Sequence, residues 1–171
     1  NHDEDNSENN DWKDEIDAIR KICHENGIDV LIERSRSGNG AHAWILFKEF
    51  IPATLAREFG LLLIEKGAQS INLKSFKYYD RMFPTKDHSE GLGNLVALPL
   101  QGQALRQGNS AFVDENWNPY YDQWKLLRTI HQLSKNEIEE YIYKWKEELS
   151  IPQGLLTINP GKRIKPWKKD E

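Results

Sequence analysis

Apolar residues recur every three or four positions in four parts of the chain, which is the spacing of an amphipathic helix. The first helix is predicted over residues 11–27, with Asp11 suited to cap its start and an Asn-Gly pair to end it. The second is predicted from Pro52 to Gly67, and a third over residues 124–130. The last begins at a capping box formed by Ser134 and Glu137.

Shorter apolar or aromatic runs between these helices predict strands. Residues 30–34 and 41–47 are joined by only a short loop, so we expect these two strands to pair in antiparallel fashion. Residues 76–82, 94–100 and 111–113 are three further strand candidates. Strands and helices in this order predict an α/β (α+β) domain, with a mainly antiparallel sheet flanked by helices.

Composition and charge set the domain organisation. The chain has 171 residues, of which 38% are hydrophobic, enough for one domain with a genuine core. We expect residues 1–10 to be an acidic flexible segment, 11–150 the folded domain and 151–171 a basic linker toward a further region. The single cysteine, Cys23, excludes an internal disulfide. The sequence has no membrane span and no secretory signal, so we expect a cytoplasmic protein.

The loop between the first two strands has the composition of a phosphate-binding loop. Its glycines permit positive φ and close backbone approach, and its arginines bring positive charge. It leads into a strand, whereas Walker A and Rossmann loops lead into a helix, so both of those motifs are excluded. The alternative is a hairpin turn whose glycines serve geometry alone. The predicted nucleotide-binding residues are Arg34, Arg36, Ser37, Gly38, Asn39, Gly40 and His42.

Two side chains are candidates for chemistry. His42 could donate to a phosphate, bind a metal or carry a proton, or it could be a structural residue beside Trp44. Asp80 lies in an aromatic run, where a buried acid is costly unless it is paired or binds a cation. The alternatives for Asp80 are a salt bridge to Arg81 or Lys77 and a role as ligand of Mg²⁺ or Mn²⁺. One carboxylate is too few for two-metal chemistry.

Four stretches taken in order carry a resemblance to a known family. They read ERSRSGNGAHAW, YYDRMFP, GLGNLVALPLQ and GNSAFVDENW, and the first predicted helix also fits. Over residues 12 to about 125 the chain resembles the archaeo-eukaryotic primase superfamily, most closely the primase-polymerase domain of TOTE conflict systems. The resemblance implies a catalytic core like an RNA-recognition-motif sheet.

Members of that superfamily carry three motifs, an acid pair spaced DxD or DxE, a small-x-His motif and an apolar-Asp motif. The second is similar to Gly40–Ala41–His42 and the third to Tyr79–Asp80. The resemblance implies that His42 binds the phosphates of the incoming nucleotide and that Asp80 completes the metal site. The acids of the first motif are expected upstream of Asn1. The DxD spacing in residues 3–5 is interpreted as a solvated tail.

These implications define the expected function. It is a DNA primase or polymerase type of nucleotidyltransferase that uses nucleoside triphosphates, a DNA template or primer and Mg²⁺ or Mn²⁺. We expect this chain to be inactive alone, because it lacks the first motif. The alternative is a noncatalytic nucleotide or nucleic-acid binding module, and a metal-dependent nuclease is a third possibility. Helicase and nuclease regions are expected on the same full-length polypeptide.

Overall fold

The computed structural model describes residues 11–149 except residues 74, 92 and 94. The predicted acidic segment, including its DxD spacing, and the predicted basic linker lie outside the described residues. Helices and one small antiparallel sheet make this an α+β fold, as predicted. In chain order the elements are α1 (Trp12–Glu25), β1 (Leu31–Arg34), β2 (Ala41–Trp44), α2 (Ala53–Ser70), α3 (Gly102–Leu105), α4 (Gln123–Thr129) and α5 (Lys135–Leu149).

The hydrophobic core lies among the three long helices. Helical periodicity places residues three and four apart on one face, so each helix has an apolar stripe. The three stripes pack against one another in the core. On α2 and α5, Phe59 and Trp145 stack with ring centroids 5.4 Å apart, and both are buried. Cys23 of α1 lies in the same core, where burial raises the pKa of its thiol to about 12. The buried thiol is therefore a packing residue.

The starts of α1 and α5 follow the predicted local signals. The Asp11 N–H donates to the Asp14 carboxylate at the start of α1, over 3.0 Å. Before α5, the Ser134 N–H donates to the Glu137 carboxylate over 2.7 Å, and the N–H of Glu137 donates back to the Ser134 hydroxyl over 3.4 Å. The capping box is thus confirmed, because the side chain of each residue accepts from the backbone N–H of the other.

Strand β1 is paired along both of its edges. On one side β2 is antiparallel to it, as predicted, with Glu33 directly opposite His42. On the other side residues 110–113 pair with it through backbone hydrogen bonds of 2.8–2.9 Å, among them the bond from Arg34 N–H to the Ala111 carbonyl. The predicted strand at 111–113 therefore exists as a short bridged segment. With both edges paired, β1 is more buried than β2.

Two predicted boundaries are wrong. Strand β2 ends at Trp44 and not at residue 47, because Phe47 turns away from β1 and bridges to Leu133 before α5. Helix α2 continues through Gly67 to Ser70. A Cβ at Gly67 would lie 2.8 Å from the Phe76 ring, so this glycine allows close packing and does not end the helix.

The strands predicted at 76–82 and 94–100 are also wrong, since no described residue of either run forms a strand. The N–H groups of Lys77 and Tyr78 donate to the buried Glu15 carboxylate, over 2.6 and 3.0 Å. A side chain of α1 thus takes the hydrogen bonds that a neighbouring strand would otherwise take. In the second run, Leu100 N–H donates to the Ser110 carbonyl. Among the described residues, no helix combines the length and apolar character that crossing a membrane requires.

Candidate functional site

The loop between β1 and β2, residues 35–40, is a closed turn. Ser35 N–H donates to the Gly40 carbonyl over 2.8 Å, and Gly38 N–H donates to the Ser35 carbonyl over 2.9 Å. Gly38 has φ of +82°, a conformation that favours glycine. A Cβ at Gly38 would lie 3.0 Å from the side-chain oxygen of Asn109. The turn geometry therefore explains Gly38 without a ligand. The group that lies close to Gly38 is the Asn109 side chain.

The structure places Glu33 at the centre of a hydrogen-bond network below this turn. Its side chain is 3% exposed. One carboxylate oxygen accepts from the Trp44 indole N–H over 2.8 Å and lies 3.1 Å from Nδ1 of His42. The other accepts from the Ser110 hydroxyl over 3.1 Å. The partners come from β2 and from residues 110–113, which pair with the two edges of β1, so backbone pairing builds the network.

Sequence reasoning missed Glu33 and Ser110. The signal was present for Glu33, because it is an acid within the apolar run VLIERS. The same reasoning about a costly buried acid was applied to Asp80 instead. For Ser110 the sequence held no such signal, because its partner is 77 positions away along the chain.

Glu33 orients the His42 ring and raises its pKa. An ionised carboxylate only accepts hydrogen bonds, so the ring donates from Nδ1. This bond is the largest cause that raises the pKa of His42 above its ordinary value of 6.5, and the charge of Glu33 adds to it against the opposing effect of burial. The side chain remains 52% exposed. Nε2, on the far side of the ring from Glu33, can therefore donate to an anion in solution.

The two predicted arginines lie in different surroundings. The Arg34 guanidinium donates to the Trp117 carbonyl over 2.6 Å and is partly buried. Arg34 thus holds the turn at 114–118 against the sheet. A phosphate that contacts Arg34 would have to share the guanidinium with the Trp117 carbonyl. Arg36 is exposed and lines a cleft of about 330 Å³. Of the two, Arg36 is the more accessible to a ligand.

Asp80 interacts with Arg81 and not with the residues of the hairpin. Its side chain is 70% exposed, and it forms an ion pair of 2.7 Å with Arg81. The ion pair of the salt-bridge alternative is therefore present, and the premise of an acid within a strand is wrong. The role of Asp80 as a metal ligand stays a prediction. No hydrogen bond or ion pair among the described residues joins Asp80 to the β1–β2 hairpin. The predicted site residues of the hairpin are brought together, and Asp80 is not joined to them.

A divalent metal ion needs several oxygen ligands held close together. Within residues 11–149, as far as they are described, no three His, Cys, Asp or Glu side chains form a group that could hold a metal. Asp80 offers one exposed carboxylate that is already paired with Arg81. The described residues alone therefore do not fit a divalent-metal site.

The family is shown by a family model that describes the archaeo-eukaryotic primase domain of the TOTE conflict system. It matches residues 2–141, most of the chain. The chain belongs to this primase family. The hairpin with His42 and the run with Asp80 both lie inside the matched region. No curated protein matches the sequence significantly. The family is one of primase-like nucleotidyltransferases that use divalent metal ions, with nucleotides and DNA as substrates.

Proposed function

We propose that the β1–β2 hairpin binds the triphosphate of an incoming nucleotide, and that this primase domain serves DNA-templated nucleotide transfer. The carrying observation is the pairing of His42 with the buried carboxylate of Glu33. It keeps a half-exposed imidazole oriented and favours its cationic form. Such a group at the end of a polar turn suits an anionic ligand.

Each part of the hairpin has a role in this proposal. The His42 imidazolium donates from Nε2 to a phosphate oxygen, and Arg36 adds charge at the exposed side of the turn. Ser37, Asn39 and the glycines Gly38 and Gly40 offer short polar groups and backbone N–H groups. Arg34 stabilises the hairpin from its partly buried side. The hairpin would thus hold and orient the triphosphate before transfer.

Asp80 is the described carboxylate that we propose as a ligand of Mg²⁺ or Mn²⁺. The family supports metal use. Asp80 would need further ligands, because no other described side chain forms a metal-holding group with it. The chemistry that such an ion supplies is the neutralisation of charge on the phosphates. Helicase and nuclease regions on the same polypeptide remain a prediction.

Nucleotide binding by the hairpin can be measured directly. Calorimetric titration of the full chain with a nucleoside triphosphate measures the affinity. We expect the affinity of His42→Ala to be about tenfold or more lower than that of the parent chain. Tyr143→Ala is a matched control, because this exposed ring lies on α5. Equal nucleotide affinities of His42→Ala and the parent chain would remove the hairpin from the proposal. Parallel titrations with ribo- and deoxyribonucleotides would identify the preferred sugar.

A noncatalytic nucleotide-binding module is the second candidate. The observation that favours it is the lack of a metal-holding group among the described side chains. Primer synthesis and extension assays with Mn²⁺ separate the two functions. Binding of a nucleoside triphosphate without any transfer supports the module. Transfer activity that survives both His42→Ala and Asp80→Ala contradicts the assignment of these residues.

A further inference from the structure

The side chain of Asn109 lies against the turn of the β1–β2 hairpin, although it comes from a distant part of the chain. A Cβ at Gly38 would lie 3.0 Å from the side-chain oxygen of Asn109, 3.2 Å from its nitrogen and 3.3 Å from the carbon between them. Because these three distances are nearly equal, the flat face of the amide lies against Gly38. The N–H groups of an amide lie in its plane, so they point along the turn and not into the glycine.

The Asn109 amide has hydrogen-bonding capacity that the protein does not use. A side-chain amide has two N–H donors and a carbonyl acceptor. In the part of the chain that the structure describes, the side chain of Asn109 forms no hydrogen bond, although it is half-buried. A polar group that is partly withdrawn from water is stabilised when it finds a partner. The amide is therefore available to a ligand that binds at the turn.

The backbone that carries this amide is held on both sides. The Asn109 N–H donates to the Ala104 carbonyl of α3 over 3.0 Å. The next residue, Ser110, donates from its N–H to the Arg34 carbonyl of β1 over 2.8 Å. Ser110 is fully buried, and its hydroxyl donates to the Glu33 carboxylate. These bonds place the amide before any ligand arrives, and a preorganised group loses little conformational entropy on binding.

The same carboxylate links Asn109 to the predicted phosphate-binding histidine. One oxygen of Glu33 accepts from the Ser110 hydroxyl, and the other lies 3.1 Å from Nδ1 of His42. The segment with Asn109 and the His42 ring are thus attached to the two oxygens of one buried group. His42 follows the turn in the chain, and Asn109 covers Gly38 within it. An anionic ligand that extends along the turn would meet both side chains.

We propose that Asn109 is a further binding residue of the hairpin site, and that its side-chain amide donates a hydrogen bond to a phosphate oxygen of the triphosphate. The class of ligand rests on the proposed function of the hairpin, whereas the contact between Asn109 and Gly38 is observed. A neutral amide adds no charge to the site. Its contribution is a hydrogen bond to a charged oxygen at a fixed position along the turn, which we expect to raise affinity about fivefold to tenfold.

Packing alone is the competing explanation, because an Asn side chain that covers a glycine could stabilise the turn without contacting a ligand. Two substitutions separate these explanations. Asn109→Ala removes the donor and adds no charge. Asn109→Asp keeps the size and shape of the side chain, and therefore its packing on Gly38, but places an anion where the proposed donor lies. A role in packing alone predicts that neither change lowers the affinity for phosphate by as much as a lost hydrogen bond.

Calorimetric titration of the full chain with ATP and with inorganic tripolyphosphate tests the proposal. The affinity of Asn109→Ala is expected to fall about fivefold to tenfold for both ligands, because the contact is to phosphate. The affinity of Asn109→Asp is expected to fall further, since its charge repels the phosphates. Asn136→Ala and Asn136→Asp are matched controls at an exposed position of α5. Both controls should stay within about twofold of the parent chain.

Two results of this titration overturn the proposal. The first is a tripolyphosphate affinity of Asn109→Ala within about twofold of that of Asn136→Ala. The second is a loss of ATP affinity in Asn109→Ala without a loss of tripolyphosphate affinity, since the amide would then contact the base or the sugar. Circular dichroism of each variant checks that it is folded.

NMR of the parent chain tests the contact without any substitution. Addition of ATP is expected to shift the side-chain amide signals of Asn109 together with the ring signals of His42, and to leave those of Asn136 unchanged. A shift at His42 without one at Asn109 means that this proposal alone fails. A shift at Asn109 without one at His42 supports the amide contact and removes His42 from the proposed function. If neither side chain responds to ATP, both proposals fail.

Discussion

Glu33 and Asp80 are both acids that follow apolar or aromatic residues, yet the fold treats them in opposite ways. Glu33 is buried, and its carboxylate binds three side chains, two from β2 on one side and one from residues 110–113 on the other. Asp80 is exposed and paired with the next residue, Arg81. A buried acid with three partners fixes the geometry around it, whereas an exposed pair of charges fixes little. The preorganised part of this primase domain is therefore the region around Glu33.

The segment that carries Asp80 is held by different means. Its backbone is attached to α1 through the buried Glu15 carboxylate, and Phe76 packs against Gly67 of α2. These contacts place the start of the segment while leaving the Asp80 side chain in water. Helix packing, and not sheet pairing, thus positions the run with Asp80 that is predicted to be the third motif.

The largest expected effect follows from Glu33→Ala. The change leaves the buried Ser110 hydroxyl and the Trp44 indole without their acceptor and opens a small void, so the free energy of unfolding is expected to fall by about 2–4 kcal/mol. Urea denaturation measures it. Glu33→Gln, which keeps one acceptor oxygen, should lose less. A loss below about 0.5 kcal/mol for Glu33→Ala would break the contrast with Asp80.

Glu15→Ala is expected to have the next largest effect. Two backbone N–H groups lose a charged acceptor, so we expect a loss of about 1–3 kcal/mol in unfolding free energy. Amide hydrogen exchange should become faster at Lys77 and Tyr78 and stay unchanged in the β1–β2 hairpin. Faster exchange at both regions would show that the segment with Lys77 and the hairpin form one cooperative unit, and would contradict their separate anchoring.

The titration of His42 sharpens the comparison through pH. The raised pKa means that the stabilising bond to Glu33 is fully present below pH 6.5, and that it is lost as pH rises through the higher folded pKa. Triphosphate affinity is expected to decline over the same interval, because the imidazolium loses its charge. In Glu33→Gln the decline should move to lower pH. NMR titration of the ring protons measures the pKa in both chains.

The smallest expected effect on stability is that of Asp80→Asn. An exposed ion pair contributes little, so the free energy of unfolding should change by less than about 0.5 kcal/mol. Mn²⁺ would broaden the NMR signals around Tyr79 and Arg81 if Asp80 is a metal ligand, and Asp80→Asn should remove this broadening. Broadening that persists in the variant would assign the ion to other ligands. Arg81→Gln serves as the control, because it breaks the pair and keeps the carboxylate.

Much of the fold could be predicted from local sequence signals. The helices around Trp12, Phe59 and Trp145 follow from apolar periodicity. The starts of the first and the last follow from caps between residues three positions apart. The antiparallel hairpin follows from its short turn. The strand predicted at 76–82 was wrong because its aromatic composition is compatible with other packing, and Phe76 inserts against Gly67 instead.

The candidate site divides in the same way. The residues of the turn and His42 are contiguous, so composition alone could place them in one loop. Glu33 was overlooked although it lies beside Arg34, because periodicity treats a single acid in an apolar run as an interruption. Its role depends on which strands flank it, and residues 110–113 join β1 only in the folded chain.

The sequence by itself determined α1, α2, α4 and α5, the hairpin and the family, since each depends on neighbours within a few residues or on the order of short motifs. Tertiary structure alone decided which acid is buried and which is free to meet solvent. Glu15 lies 62 positions from Lys77, and Glu33 lies 77 positions from Ser110. Hydrogen bonds across such separations exist only once helices and sheet have packed, because burial makes an unmade polar contact costly.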